Sequence, residues 1–251
     1  EEYERLIIIY PVGECESNYG GLGSIGKRMI DTDEGEKEMS VAWIVWFEGF
    51  EEYNMHTVWH EFGHNLGVRH ANSYLCSNGE IIDDDCESTE YGDNYDTMGY
   101  GYGHYNTIHK EEIGWLSSVE IDDYGIPGTY KIYALESDFG EGKYQSFKIP
   151  VSYSFSIGDS GAKLTSNYLY LDFRRPIGID GRLSGEIDIE GVIGTLKVSR
   201  EGDRHESTRQ TQRINFDGGD SDTVVLHEAE TYLDTRHNFI LVVRDVTDEY
   251  V

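Results

Sequence analysis

The sequence predicts an α+β protein in two parts: a twisted sheet with one prominent helix over residues 1–118, and a β-rich, sandwich-like region over residues 119–251. Three observations predict it. Met55, Val58, Trp59, Phe62 and Leu66 recur at helical spacing, so residues 55–66 read as a helix that buries one apolar flank and offers the other. Short β-branched runs ended by Pro or Gly precede that helix. Beyond Ser117 the texture changes to short apolar or alternating runs separated by Gly, Pro and Asp, whose regular spacing favours a β-sandwich or a compact antiparallel appendage.

The charge balance narrows the partners. With 48 Asp and Glu against 20 Lys and Arg, the formal net charge is −28. Nucleic acid and anionic membrane are not expected as partners, because phosphate binding requires clustered Lys and Arg. The acidity fits solubility in a salty medium, where self-repulsion is screened; binding of calcium or of cationic substrates is the functional alternative. No apolar run approaches the about 18 residues of a membrane helix, so no membrane span is expected. The chain opens on Glu1-Glu2 without a signal-peptide pattern, which points to a processed or trimmed chain.

Taken in order, residues 5–12 (RLIIIYPV) read as a buried strand ended by Pro and Gly. A Gly-rich turn at 20–26 leads to a second strand around 27–30, a polar loop at 31–40, and a stronger strand at 41–47. Residues 72–96 read as a loop dense in carboxylates. Asp83, Asp84, Asp85 and Asp93 are its candidate calcium ligands, although their spacing misses the EF-hand pattern and a solvated acidic loop is the alternative. Cys76 and Cys86 bracket a polar segment of this loop and form the favoured disulfide, which implies an oxidising, extracytoplasmic setting; Cys15 is then free or paired outside this chain. A short helix is expected at 107–116, stopped near Gly114, with His109 as a packing or capping residue. Strands are expected at 129–135, 144–153, 168–173, 191–199, 223–226 and 238–246, and the Arg174-Arg175 pair reads as a surface face.

The chemistry concentrates in His60-Glu61-Phe62-Gly63-His64-Asn65-Leu66-Gly67-Val68-Arg69-His70, which fits H-E-x-x-H-x-x-G-x-x-H at every fixed position. In a chain with 9 His and 29 Gly, a chance match has odds of about 10^-4, so a helix that merely happens to carry histidines is a poor account. Residues four apart share a helix face, so His60 and His64 can aim both imidazoles at one metal ion with Glu61 beside them. A third ligand cannot continue up the helix without leaving that face. Gly67 can turn the chain through a left-handed conformation, and His70 then arrives from beyond the helix. Three neutral imidazoles leave the fourth tetrahedral position of zinc open to water, as in a catalytic rather than a closed structural site, with Glu61 placed as general base.

Tyr95-Asp96-Thr97-Met98-Gly99-Tyr100 follows the third histidine, where the long zinc motif is expected to be followed by a Met-turn. With these two motifs the chain resembles the metzincin clan of zinc peptidases, and within it is similar to the gametolysin-like peptidase family. Weaker support comes from Gly20-Gly21-Leu22-Gly23-Ser24, from Ala71 directly after the zinc motif, from Glu90-Tyr91-Gly92-Asp93, from His109-Lys110-Glu111-Glu112-Ile113-Gly114-Trp115-Leu116 and from residues 168–180. The resemblance implies a metzincin-like catalytic domain at 1–118 and a secreted endopeptidase acting on protein or peptide. It implies Met98 as a soft floor beneath the three imidazoles. It also implies a catalytic Tyr100, two residues past Met98, that hydrogen-bonds the tetrahedral intermediate; an ordinary core tyrosine is the alternative. Only 59 residues precede His60, fewer than a whole metzincin upper subdomain, so an N-terminal piece is expected outside this chain. A degenerate metzincin serving as a binding module and a non-peptidase zinc hydrolase are the rival classes; neither Glu61 nor a ligand is lost, which disfavours the first.

Overall fold

The β-branched run at 41–47 belongs to a longer strand onto which every other strand of the N-terminal region is hydrogen-bonded. In the computed structural model, which describes residues 3–13, 18–76, 81–83, 86–121, 127–137, 140, 142–157, 162–183, 187–200, 210–216 and 224–251, the chain divides into two units, Glu1–Arg69 and His70–Val251. The first contains β1 (Arg5–Pro11), β2 (Gly21–Gly23), β3 (Arg28–Thr32), β4 (Gly35–Trp46) and helix α1 (Glu51–Leu66). β1 pairs in parallel with β4, and β2 pairs antiparallel on its other side. β3 forms a hairpin with the first five residues of β4. The expected polar loop at 31–40 is therefore mostly strand. Its exposed Glu36 and Glu38 line a ribbon stabilised by backbone pairing rather than by burial, a kind of strand that hydropathy does not mark.

β1 corrects a second expectation. It is a strand, but β4 is its one neighbour among the described residues, and Ile9 is 54% exposed with Leu6, Ile7 and Ile8 not far below. An edge position, not the residue types, decides this burial.

The flanks of α1 are also the reverse of the expected ones. Asn54, Thr57, His60, Glu61, His64 and Asn65 are buried, whereas Met55, Val58, Trp59, Phe62 and Leu66 are only partly so. The two buried asparagine amides donate to the unit's own backbone carbonyls, which offsets part of the cost of burying them. Asn54 accepts the Phe47 N–H at 3.0 Å and donates to the Phe47 carbonyl at 2.7 Å. Asn65 donates to the carbonyls of Ser24 and Val41 at 3.1 and 3.0 Å.

The second unit is mixed but mostly sheet. Its elements are β5 (Ala71–Leu75), β6 (Glu87–Thr89), α2 (Thr107–Glu112), β7 (Val119–Glu120), β8 (Ser146–Ile157), β9 (Ala162–Phe173), β10 (Gly191–Arg200), β11 (Gln210–Ile214), β12 (Val225–His227), β13 (Thr231–Asp234) and β14 (Phe239–Val242). Where a sandwich was expected, eight strands form one open sheet in the order β6-β5-β11-β10-β9-β8-β7, with β12 also on β10; β13 and β14 make a separate ribbon. Phe147, Ile149, Leu169, Leu171, Phe173, Leu196 and Ile214 form the centre of its apolar core. The supposed loop at 72–96 supplies β5 and β6, because β5 pairs in parallel with β11, a partner some 140 residues on whose sequence QTQRI carries no apolar alternation. The expected strand at 129–135 is reduced to bridges at Ile132 and Tyr133.

Cys76 and Cys86 are bridged, as expected, and both are buried within the core; Cys15 lies outside the described residues. Replacing both cysteines by Ser is expected to lower unfolding free energy by about 2 to 3 kcal/mol, the constraint a closed loop of this length imposes on the unfolded chain. Equilibrium denaturation of the two proteins checks this, and coincident midpoints would contradict it.

Candidate metal centre

The local geometry of residues 51–70 follows from two ends of one helix. Glu51 and Glu52 occupy the first turn, where carboxylates complement the helix dipole. At the other end Gly67 takes φ 105°, a left-handed cap; its N–H donates to the His64 carbonyl (2.9 Å) and the Val68 N–H donates to the Gly63 carbonyl (3.2 Å). The chain thus leaves the helix where the third motif histidine requires it to.

His60, His64 and His70 each offer a ring nitrogen, and the three atoms lie within 4.8 Å of one another. Donors on a tetrahedral zinc at its usual bond length sit about 3.4 Å apart, so small side-chain rotations bring the trio to bonding geometry. Two of the rings have an assigned nitrogen. His64 Nδ1 meets the Val68 carbonyl at 3.0 Å and therefore carries the proton there, which leaves Nε2 bare. His70 Nδ1 meets Glu90 Oε1 at 2.7 Å, with the same consequence. The rings of His60 and His64 approach edge to face, 4.9 Å between centroids. The donor set, its spacing and the ring hydrogen bonds fit zinc.

Glu61 is buried under β2. A Cβ on Gly23 would lie 2.7 Å from the Glu61 carbonyl oxygen and 2.9 Å from Oε2, and one on Gly21 would lie 2.6 Å from Oε1, so only glycine leaves room for this carboxyl group. Burial pushes the carboxyl up to about 7, partly opposed by the Gly23 N–H, whose hydrogen bond favours the ionised form. These glycines stand in the Gly-rich turn of the sequence, which carried only a family likeness; their task is legible only once β2 is laid over α1.

Met98 is fully buried, and its carbonyl accepts the Ala71 N–H at 3.0 Å, which ties the turn to the residue directly after His70. Asp96 shapes that turn. Its carboxylate accepts the N–H groups of Met98 (2.6 Å) and Asn106 (2.7 Å) and pairs with His109 Nδ1 at 2.8 Å. Burial works against both charges, yet the His109 charge holds Asp96 below the usual carboxylate range and Asp96 raises His109. His109 is thus the buried ion-pair partner of Asp96, and Asp96, within the Tyr95–Tyr100 stretch, is the organiser of the turn.

Tyr100 is 66% exposed, which removes the core alternative. Its N–H donates to the Tyr91 carbonyl at 2.8 Å, and its ring lies 5.7 Å from that of Tyr91, which in turn lies 4.0 Å from the His70 ring.

Of the calcium candidates, Asp83 and Asp93 are described. Asp93 is buried, accepts the Tyr95 N–H at 2.9 Å and faces Arg213 at 3.5 Å, so a protein cation already answers its charge. Asp83 contributes backbone contacts, its carbonyl accepting from Tyr74 and its N–H donating to Cys86 Sγ; Asp84 and Asp85 lie outside the described residues. Among the described residues, the three histidines are the only group with metal-ligand spacing. No helix among them is long and apolar enough to cross a membrane. No family model, curated protein or solved structure matches the chain.

Proposed function

We propose that this chain is a zinc-dependent endopeptidase of the metzincin type. The observation that carries the reading is the convergence of three imidazole donors from one H-E-x-x-H-x-x-G-x-x-H stretch, with the Glu61 carboxyl buried on the same helix. Zinc held by His60, His64 and His70 supplies Lewis acidity towards water and the scissile carbonyl. Glu61 takes the proton from the attacking water and delivers it to the leaving amine. Its enclosure beneath Gly21 and Gly23 limits competing solvent at the carboxyl. The buried disulfide supports an oxidising, extracellular site of action.

Metal analysis tests the reading directly. Wild type is expected to carry about one zinc per chain and His64→Ala almost none, because a two-imidazole remnant does not hold the ion. Peptide-library hydrolysis should follow the metal, vanishing on chelation. Equal zinc in both proteins would sink the assignment.

Tyr100 is proposed to act in turnover. On this reading its hydroxyl forms a hydrogen bond only as the tetrahedral intermediate develops, so Tyr100→Phe should lower kcat about 10- to 100-fold, equivalent to about 1.4 to 2.7 kcal/mol, with KM and zinc content nearly unchanged. Full kcat in that variant would return Tyr100 to a purely surface role.

A further inference from the structure

We propose that Glu90 is the positioning residue that makes His70 a metal ligand, by fixing the tautomer and orientation of its ring. The inference rests on the zinc reading and extends it to a residue outside the motif. His60 and His64 are held in place by the helix that carries them, and both are buried. His70 has no helix beneath it. Its side chain is 20% exposed, and a neutral imidazole on a loop has two tautomers and free rotation about its side-chain bonds.

Two contacts remove that freedom. Glu90 Oε1 stands 2.7 Å from His70 Nδ1, and an ionised carboxylate only accepts, so the proton must reside on Nδ1 and Nε2 is left bare. The Tyr91 ring covers the imidazole at 4.0 Å with 37° between planes, which opposes rotation. The corner bearing both residues is itself anchored. Tyr91 donates its N–H to Asn72 Oδ1 (3.1 Å) and accepts the Tyr100 N–H (2.8 Å). Tyr91 also sits at φ 63°, a left-handed conformation that a tyrosine adopts only when its surroundings impose it. A strained, doubly tethered corner that aims a carboxylate at one ring nitrogen is the arrangement by which an outer carboxylate orients a metal-bound histidine and raises its basicity. His64 obtains the same tautomer from the Val68 carbonyl, so Glu90 gives the loop ligand what the helix terminus gives the helical one.

The test compares the wild-type chain with Glu90→Ala and Glu90→Gln. Zinc affinity is measured by competition with a chromophoric chelator, and ligand geometry by the visible absorption of the cobalt-substituted proteins. The Glu90 side chain is 60% exposed, so both variants keep the core, and affinities are compared between samples with the same far-UV circular dichroism. Glu90→Ala is expected to weaken zinc binding about 10- to 100-fold and to broaden the cobalt bands. Glu90→Gln keeps a carbonyl that accepts from Nδ1–H and should recover most of the affinity. Zinc binding by Glu90→Ala within about twofold of wild type, or by Glu90→Gln as weak as by Glu90→Ala, overturns this inference and leaves the zinc reading standing. A wild-type chain that binds no zinc overturns both.

Discussion

Glu61→Gln is expected to keep its zinc and its fold while losing peptide hydrolysis by about a hundred- to ten-thousand-fold, the range general-base removal produces, or about 2.7 to 5.4 kcal/mol of barrier. The substitution is nearly isosteric. The space under β2 that excludes any Cβ on Gly21 or Gly23 accepts an amide as well as a carboxyl. Burial disfavours the carboxylate, whereas the amide has no charge to desolvate, so the variant should melt no lower than wild type. That separates chemistry from stability. The loss should appear in kcat and kcat/KM alike, because the proton transfer belongs to the transition state and not to ground-state binding. Single-turnover hydrolysis of a peptide identified by library digestion, on samples matched for zinc content, is the measurement. Near-normal turnover would remove Glu61 from the mechanism and leave a zinc site with another purpose.

The motif could be read in the sequence because its physics is local. His60 to His64 is one helical turn, Gly67 is the left-handed cap directly after the helix, and the three ring nitrogens converge as that spacing requires. The Cys76–Cys86 bridge is equally local. What could not be read depends on partners distant in the chain. Apolar periodicity assigned the buried face of α1 to Met55, Val58 and Trp59, yet Asn54 and Asn65 are deeper, since their amide groups donate to the carbonyls of Phe47, Ser24 and Val41. The apolarity of β1 shows what burial would gain, and its edge position leaves that gain unrealised. β11 is a strand because β5 and β10 flank it, not because QTQRI favours extension. Glu90 illustrates the same limit at the site itself. Nothing in its sequence context ties it to a histidine twenty positions earlier, and only the β5–β6 pairing brings it back beside His70.

Arg174→Met should destabilise the second unit by about 3 to 5 kcal/mol, the consequence of removing one partner from a buried ion pair. In a chain of this size that shift lowers the melting temperature by about 6 to 20 °C. Arg174 and its neighbour Arg175 look alike in sequence but have opposite fates. Arg175 pairs with exposed Asp248, where solvent screens the interaction. Arg174 is fully buried, with Nη1 at 2.8 Å from Asp180, 3.4 Å from Glu136 and 3.2 Å from the His104 carbonyl, and with Nε at 3.7 Å from Asp172. Even beside this cation, burial pushes the Asp172 carboxyl up to about 6 and that of Glu136 up to about 9. Lys110 also acts on these carboxylates, but its Nζ is bonded to the Leu135 carbonyl and burial draws it down to about 8. Methionine fills the volume and removes the guanidinium, leaving Asp172 and Asp180 only the weaker influence of Lys110. Without the guanidinium the Asp172 carboxyl rises further above the ordinary 3.8 and Asp180 loses the charge that held it below that value, so the folded variant binds more protons than wild type does and loses more stability as pH rises. The deficit of the variant should accordingly be largest near about pH 8 and shrink towards about pH 5, as the two carboxyls protonate. Thermal melts of wild type and variant across that range decide the matter, and a deficit of under about 2 °C, or one independent of pH, would show that the carboxylates do not depend on Arg174.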